Sequence, residues 1–220
     1  MFCIKKEKKV TAVVRCVLGW LNNWLAIDKG MIADVMKETP RFGAQEWKQH
    51  FGVDVEEPGL PPSIQGLLKQ RCPFWPEKRI SETHLLCLVP KDLTLQKIYE
   101  GAQCHLSSSF MEFSQSKNQE TYWILITKEI IPATVDQSFD EVKKIVSKQE
   151  GYRIPFLREA VIAVIAAQSL KIELFPTKLQ FTTSQEVYNG THPLVGYGSS
   201  VPSIYVNNVG DFAGAAGVRC

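Results

Sequence analysis

The chain has 220 residues, of which 45% are hydrophobic and 10% aromatic. That is enough apolar material for one sizeable core, so wholesale disorder is excluded. Its length suits a single domain with an appended N-terminal segment. Net charge is +2 with the basic residues spread along the chain. A nucleic-acid binder would carry a stronger positive balance or a basic face interleaved with aromatics, so nucleic acid is not an expected partner.

In chain order, the first forty residues come apart most readily. The stretch "KKEKKVTAVVRCVLGWLNNWLAI" looks like an anchor, but its apolar run is broken at Arg15. A signal core needs about 7–15 apolar residues and a spanning helix about 20. On a helix, Thr11, Arg15, Gly19, Asn22 and Asn23 form one polar stripe, and Val10, Val13, Val14, Val17, Leu18, Leu21, Trp24 and Leu25 cover the rest. Residues 1–40 therefore read as an N-terminal amphipathic helical segment. A membrane surface is an alternative partner for residues 10–27, aided by Lys5, Lys6, Lys8 and Lys9.

Residues 41–220 read as one α+β domain. A helical pattern over "RFGAQEWKQHF" puts Phe42, Trp47 and Phe51 on one side. The three prolines of "VEEPGLPPS" break it, and "PPSIQGLLKQ" starts a short helix with Pro62 in its first turn. "THLLCLV" reads as a strand ended by Pro90, "LTLQKIYEGA" as a helix facing inward through Leu95, Ile98, Tyr99 and Ala102, and "TYWILIT" as a doubly covered strand. Ser138 and Glu141 make a capping box; Phe139, Val142, Ile145 and Val146 form the buried stripe behind it, and Gly151 supplies a left-handed exit.

"IPFLREAVIAVIAAQSL" follows, with almost no polar residue from Ala160 to Ala167. A helix apolar all round is buried all round, which makes this one the buried central helix. From Leu179 onward the pattern turns to short, glycine-rich β segments ("LQFTT", "LVGYGSS", "SIYVNN") and a small-residue tail. Asn189-Gly190-Thr191 matches a glycosylation acceptor, but Asn-Gly is also a strong tight-turn dipeptide, and the turn is the preferred reading.

Six cysteines (Cys3, Cys16, Cys72, Cys87, Cys104 and Cys220) are irregularly spaced without a Cys-x-x-Cys pair. They read as reduced thiols in a cytosol-like compartment rather than a disulfide framework. Cys72, His84, Cys87, Cys104 and His105 are all zinc-ligand types. On a strand, however, His84 and Cys87 point to opposite faces, and structural zinc sites draw ligands in close pairs from tight turns. No metal or other cofactor is implied. A nucleophilic cysteine remains an alternative, Cys72 with His84 or Cys104 with His105. Nucleophile elbow, phosphate loop and His-Glu-x-x-His motifs are all missing from the sequence.

Four stretches, "CPFWPEK…ETHLLCLVPK" (72–91), "YWILITKEIIP" (122–132), "YRIPFLREAVIAVIAA" (152–167) and "GVR" (217–219), together resemble an uncharacterised bacterial domain family frequent in chlamydia-related bacteria. The resemblance covers residues 42–220 and implies a bacterial setting; the expectation of a cytoplasmic one rests on the reduced cysteines. The layout of "YRIPFLREA" before a glycine-rich β region ending in Gly-Val-Arg is distantly similar to formylglycine-generating-enzyme-like proteins. That likeness implies a C-type-lectin-like scaffold, and the oxidase chemistry is not implied because only Cys220 follows Cys104. The expected function is non-catalytic binding of a partner, most simply a protein. The contact surface is expected on the C-terminal loops at Tyr188, His192, Tyr197 and Tyr205, since loops on rigid scaffolds are where binding tends to sit.

Overall fold

The structure, a computed structural model, describes residues 39–102, 105–106, 118–174, 181–187, 190–197, 202–206 and 213–219. All belong to one compact unit, Thr39–Cys220. The expected N-terminal amphipathic segment, apart from Thr39 and Pro40, lies outside the described residues, and so does the membrane reading of residues 10–27.

The domain is α+β. Its first sheet has the order β1-β2-β4-β10-β5, built from Arg41–Phe42, His84–Val89, Tyr122–Thr127, Val218–Arg219 and Tyr152–Arg153 in that order. The second has the order β3-β8-β7-β6-β9, built from His105–Leu106, Pro202–Val206, Pro193–Tyr197, Phe181–Thr183 and Ala213–Gly214. The helices are α1 (Ala44–Phe51), α2 (Pro62–Leu68), α3 (Ile80–Thr83), α4 (Leu95–Ala102), α5 (Phe139–Ser147) and α6 (Leu157–Leu170).

Helix α6 packs on β2 of the first sheet and on β7 and β8 of the second. It forms the layer between two sheets, and every residue from Leu157 to Ala167 is buried. This is the physical reason for a sequence with no polar face: both sides of the helix meet apolar strands. Burial of its Leu, Val and Ile side chains contributes about 1.5–3 kcal/mol each.

The β2–β4 register divides the first sheet into two faces. Leu85, Cys87 and Val89 pair with Ile126, Ile124 and Tyr122; His84, Leu86 and Leu88 pair with Thr127, Leu125 and Trp123. The first set faces α6, whose Glu159 accepts a hydrogen bond from the Tyr122 hydroxyl. On the opposite face, Trp123 Nε1 donates to the carbonyl of Pro58 at 2.9 Å and the Arg41 guanidinium stacks over its ring. The Pro-rich segment before α2 therefore covers that face.

Two expected boundaries shift. Phe42 lies in β1, pairing with Cys87, and α1 begins only after Gly43, whose N–H donates to Glu46. Its ring still meets Trp47 and Phe51, at centroid distances of 5.1 and 6.1 Å. Thr83 belongs to α3 rather than the strand, because its hydroxyl donates back to the carbonyl of Arg79. The box at Ser138 and Glu141 and the positive φ of Gly151 and Gly190 match expectation. Leu95 and Ile98 are buried as expected on α4.

One connection ties the sheets together. Only Ala215, Ala216 and Gly217 separate β9 from β10, so the chain passes directly from the second sheet to the first. The three amide groups of the crossing each donate to a buried threonine hydroxyl: Ala215 to Thr134, Ala216 to Thr182 and Gly217 to Thr127, at 2.8, 2.9 and 3.1 Å. Residues here must be small. A Cβ on Gly214 would collide with Ile130, and one on Gly217 would lie 2.9 Å from the Tyr152 ring.

Candidate functional site

Candidate chemistry in the segment from Arg71 to Pro90 is absorbed by the core. Cys72 opens a tight loop closed by the Arg71–Arg79 bridge, with its N–H donating to the Lys78 carbonyl. It is buried, as is Cys87, and neither forms a disulfide. Burial pushes the Cys87 thiol well above the ordinary thiol range. The alternation of β2 puts Cys87 on the α6 side and His84 on the other.

His84 is fully buried with both ring nitrogens engaged. Nδ1 lies 2.8 Å from Thr83 Oγ1, and Nε2 lies 3.0 Å from the Tyr152 hydroxyl. The Thr83 hydroxyl spends its one proton on the Arg79 carbonyl, so it accepts from Nδ1–H, and Nε2 accepts from Tyr152. That arrangement fits the neutral imidazole alone. Burial, with smaller contributions from nearby Lys128 and Arg219, lowers the pKa of His84 from 6.5 to about 3. A histidine held this way serves the fold rather than abstracting protons near neutral pH.

Among the described residues, no three His, Cys, Asp or Glu side chains are placed to hold a metal ion. Cys104 and the side chain of His105 lie outside the described residues. A direct check on Cys72 and Cys87 is differential labelling with a maleimide followed by mass spectrometry. Both should stay unlabelled in the native protein and label together on unfolding; fast native labelling of Cys72 would restore the nucleophile reading.

A second constellation, not anticipated from the sequence, builds the start of α6. Glu159 is completely buried and receives a bidentate pair from Arg153, both contacts at 2.6 Å. It also accepts from the Tyr122 hydroxyl at 3.0 Å and from the Phe156 N–H at 2.8 Å. Leu157 N–H donates to Glu186 at 2.8 Å. Two of the helix's orphan N–H groups are thus satisfied by the chain's own carboxylates. The Glu186 carboxyl is held above the ordinary carboxylate range, chiefly by burial.

The same staple fixes the loop after β6. Gln185 N–H donates to the carbonyl of Pro155 at 3.0 Å, and its side-chain amide to that of Ile154 at 2.6 Å. Phe156 and Val187, carried on these two tied segments, are the large hydrophobic side chains that stay exposed among the described residues, at 42% and 56%. The Arg153 guanidinium lies 4.5 Å from the centre of the Phe156 ring.

Of the expected contact residues, His192 is half-buried; its ring stacks on Phe139 with centroids 3.3 Å apart, and its Nδ1 lies 3.0 Å from the Ser184 carbonyl. Tyr188 lies outside the described residues. Tyr197 pairs with Pro202 and Tyr205 with Leu194, register positions of opposite parity, so the two positions belong to opposite faces of the second sheet. For Tyr197 and Tyr205 the backbone alone is described. Phe156 and Val187 were legible only as apolar residues beside prolines and turns. The one sequence signal for the buried network is the charged pair Arg158-Glu159 opening an otherwise apolar helix.

No family model matches the chain, and no curated protein or solved structure matches it. Among the described residues, no helix is long and apolar enough to cross a membrane.

Proposed function

We propose that this chain is a non-catalytic binding domain that engages a protein partner through its C-terminal loops, at the surface around Val187 and His192 and extending to Phe156. The observation that carries this reading is the exposed pair Phe156 and Val187, held on two segments that hydrogen bonds fix to the start of the central helix. Apolar side chains presented on a rigid base lose little freedom when covered, and binding surfaces are commonly built that way. Of the two cysteine–histidine pairs that the sequence offered for catalysis, the described one, Cys72 with His84, is buried in the core. The reading also fits the resemblance to lectin-like proteins, many of which bind without catalysing.

Affinity capture from a bacterial lysate, comparing the full chain with a Phe156→Ser/Val187→Ser variant of equal thermal stability, tests it. Partners should be recovered by the parent chain and lost from the variant. Equal recovery by both overturns the loop assignment.

A further inference from the structure

Residues 52–61 run from α1 to α2 without helix, strand or turn. Val53 and Val55 are half-buried, while Asp54 and Glu56 between and beside them are exposed. This segment forms one wall of a cavity of about 260 Å³; the opposite wall is the stretch Pro90 to Leu93 that follows β2, together with Lys97 in the first turn of α4. The volume lies just under the ~300–1,000 Å³ of pockets that take drug-sized ligands, so the occupant is small.

Its lining is divided. Val53, Val55, Pro90 and Leu93 supply apolar surface. Lys91, Lys97, Glu56 and Asp92 supply two positive and two negative charges. Asp54 also lines the cavity but is already paired with Lys48 at 2.7 Å. None of the other four makes an ion pair with a described residue, so opposite charges face one space without neutralising each other. Lys91 and Asp92 are consecutive and would ordinarily point apart; Asp92 adopts a left-handed backbone, φ 60°, and both line the cavity. Aspartate is among the residues that tolerate this conformation in a turn, as Asp136 does elsewhere in the chain.

An anion entering this space meets Glu56 and Asp92, and a cation meets Lys91 and Lys97. A neutral apolar molecule offers a partner to none of the four. Only a molecule bearing both charges on a compact body, with an apolar group for the valines and Leu93, is complementary to the whole lining. We infer that this cavity binds a free α-amino acid with an apolar side chain, its carboxylate toward Lys91 and Lys97 and its ammonium toward Glu56 and Asp92.

Calorimetric titration of the full chain tests this, with valine, leucine and phenylalanine as probes beside leucinamide and N-acetylleucine, each lacking one of the two charges. At least one of the three amino acids should bind with a millimolar or tighter Kd, and both charge-deleted analogues at least about tenfold more weakly than leucine. Lys91→Gln/Lys97→Gln should abolish amino-acid binding. Asp92→Asn, which keeps a residue that tolerates the left-handed turn, should weaken it several-fold. Absence of binding by all three amino acids overturns the inference. Equal binding of leucine and either analogue, or unchanged affinity in the lysine variant at unchanged thermal stability, overturns it too. The outcome is independent of the partner surface at Phe156 and Val187, because neither residue lines this cavity.

Discussion

Acidification from about pH 6.5 to about pH 4 should cost this protein roughly 3 kcal/mol of folding stability through His84 alone. The folded-state pKa of about 3 lies below the ordinary 6.5. Between those values the unfolded chain takes up a proton that the folded chain refuses, so stability is complete above about pH 6.5 and drains away as pH falls toward 3. The physical cost is the burial of an imidazolium whose Nε2 already accepts from Tyr152, in a pocket that Lys128 and Arg219 make still less hospitable. Urea unfolding of the parent chain and of His84→Gln across this range isolates the contribution. At neutral pH the variant should be less stable by about 1–3 kcal/mol, for the hydrogen bonds lost. Its stability should then fall less steeply with acid, so that the two curves converge or cross. Parallel curves would show that His84 protonates in place and that its environment is wetter than its burial indicates.

Glu159→Ala should be more damaging at neutral pH, with an expected loss of about 3–5 kcal/mol. The carboxylate is the common acceptor for Arg153, the Tyr122 hydroxyl and the Phe156 N–H. Removing it leaves a half-buried guanidinium and two polar groups without that partner where the central helix begins. The construction of the site predicts its own control. Arg153→Met/Glu159→Leu removes both charges together and should recover part of the loss, since the penalty comes from the stranded charge more than from the missing attraction. Thermal denaturation of the single and double variants decides it. If the double variant is as unstable as the sum of the singles, the pair acts only as two independent packing contacts.

The contrast between these two residues shows what the sequence makes legible. Helix α6 is readable because burial on both sides demands an unbroken apolar run, and the box at Ser138 and Glu141 is readable because its partners lie three residues apart. His84 on the opposite face from Cys87 follows from strand alternation alone. Glu159 is different. Its side-chain partners lie six residues away at Arg153 and thirty-seven away at Tyr122, and no local pattern announces those two. The three threonines that serve the crossing between sheets are equally silent, since nothing in the residues beside Thr127, Thr134 or Thr182 announces a partner 34 to 90 residues away. The displacement of Phe42 from helix to strand has the same origin: its pairing with Cys87 is a long-range event that overrides a helical periodicity. Among the contact residues, aromatic content pointed to Tyr197 and Tyr205, but their relative faces depend on a strand register that composition does not contain.

That crossing also bears on the order of events during synthesis. Strand β10 is an interior member of the first sheet, between β4 and β5, and the Gly217 amide that precedes it closes on a Thr127 hydroxyl ninety residues earlier. As the chain emerges from a ribosome, β2 and β4 can pair early, but β5 has no place to dock until residues 218–219 arrive. The second sheet differs, because β9 is only its edge strand, paired with β6. Contacts of such long sequence separation are closed late and at an entropic cost, so the first sheet stays incomplete until residues 218–219 are delivered. Closure of the first sheet is therefore expected to be a late event in folding, after β2 and β4 have paired.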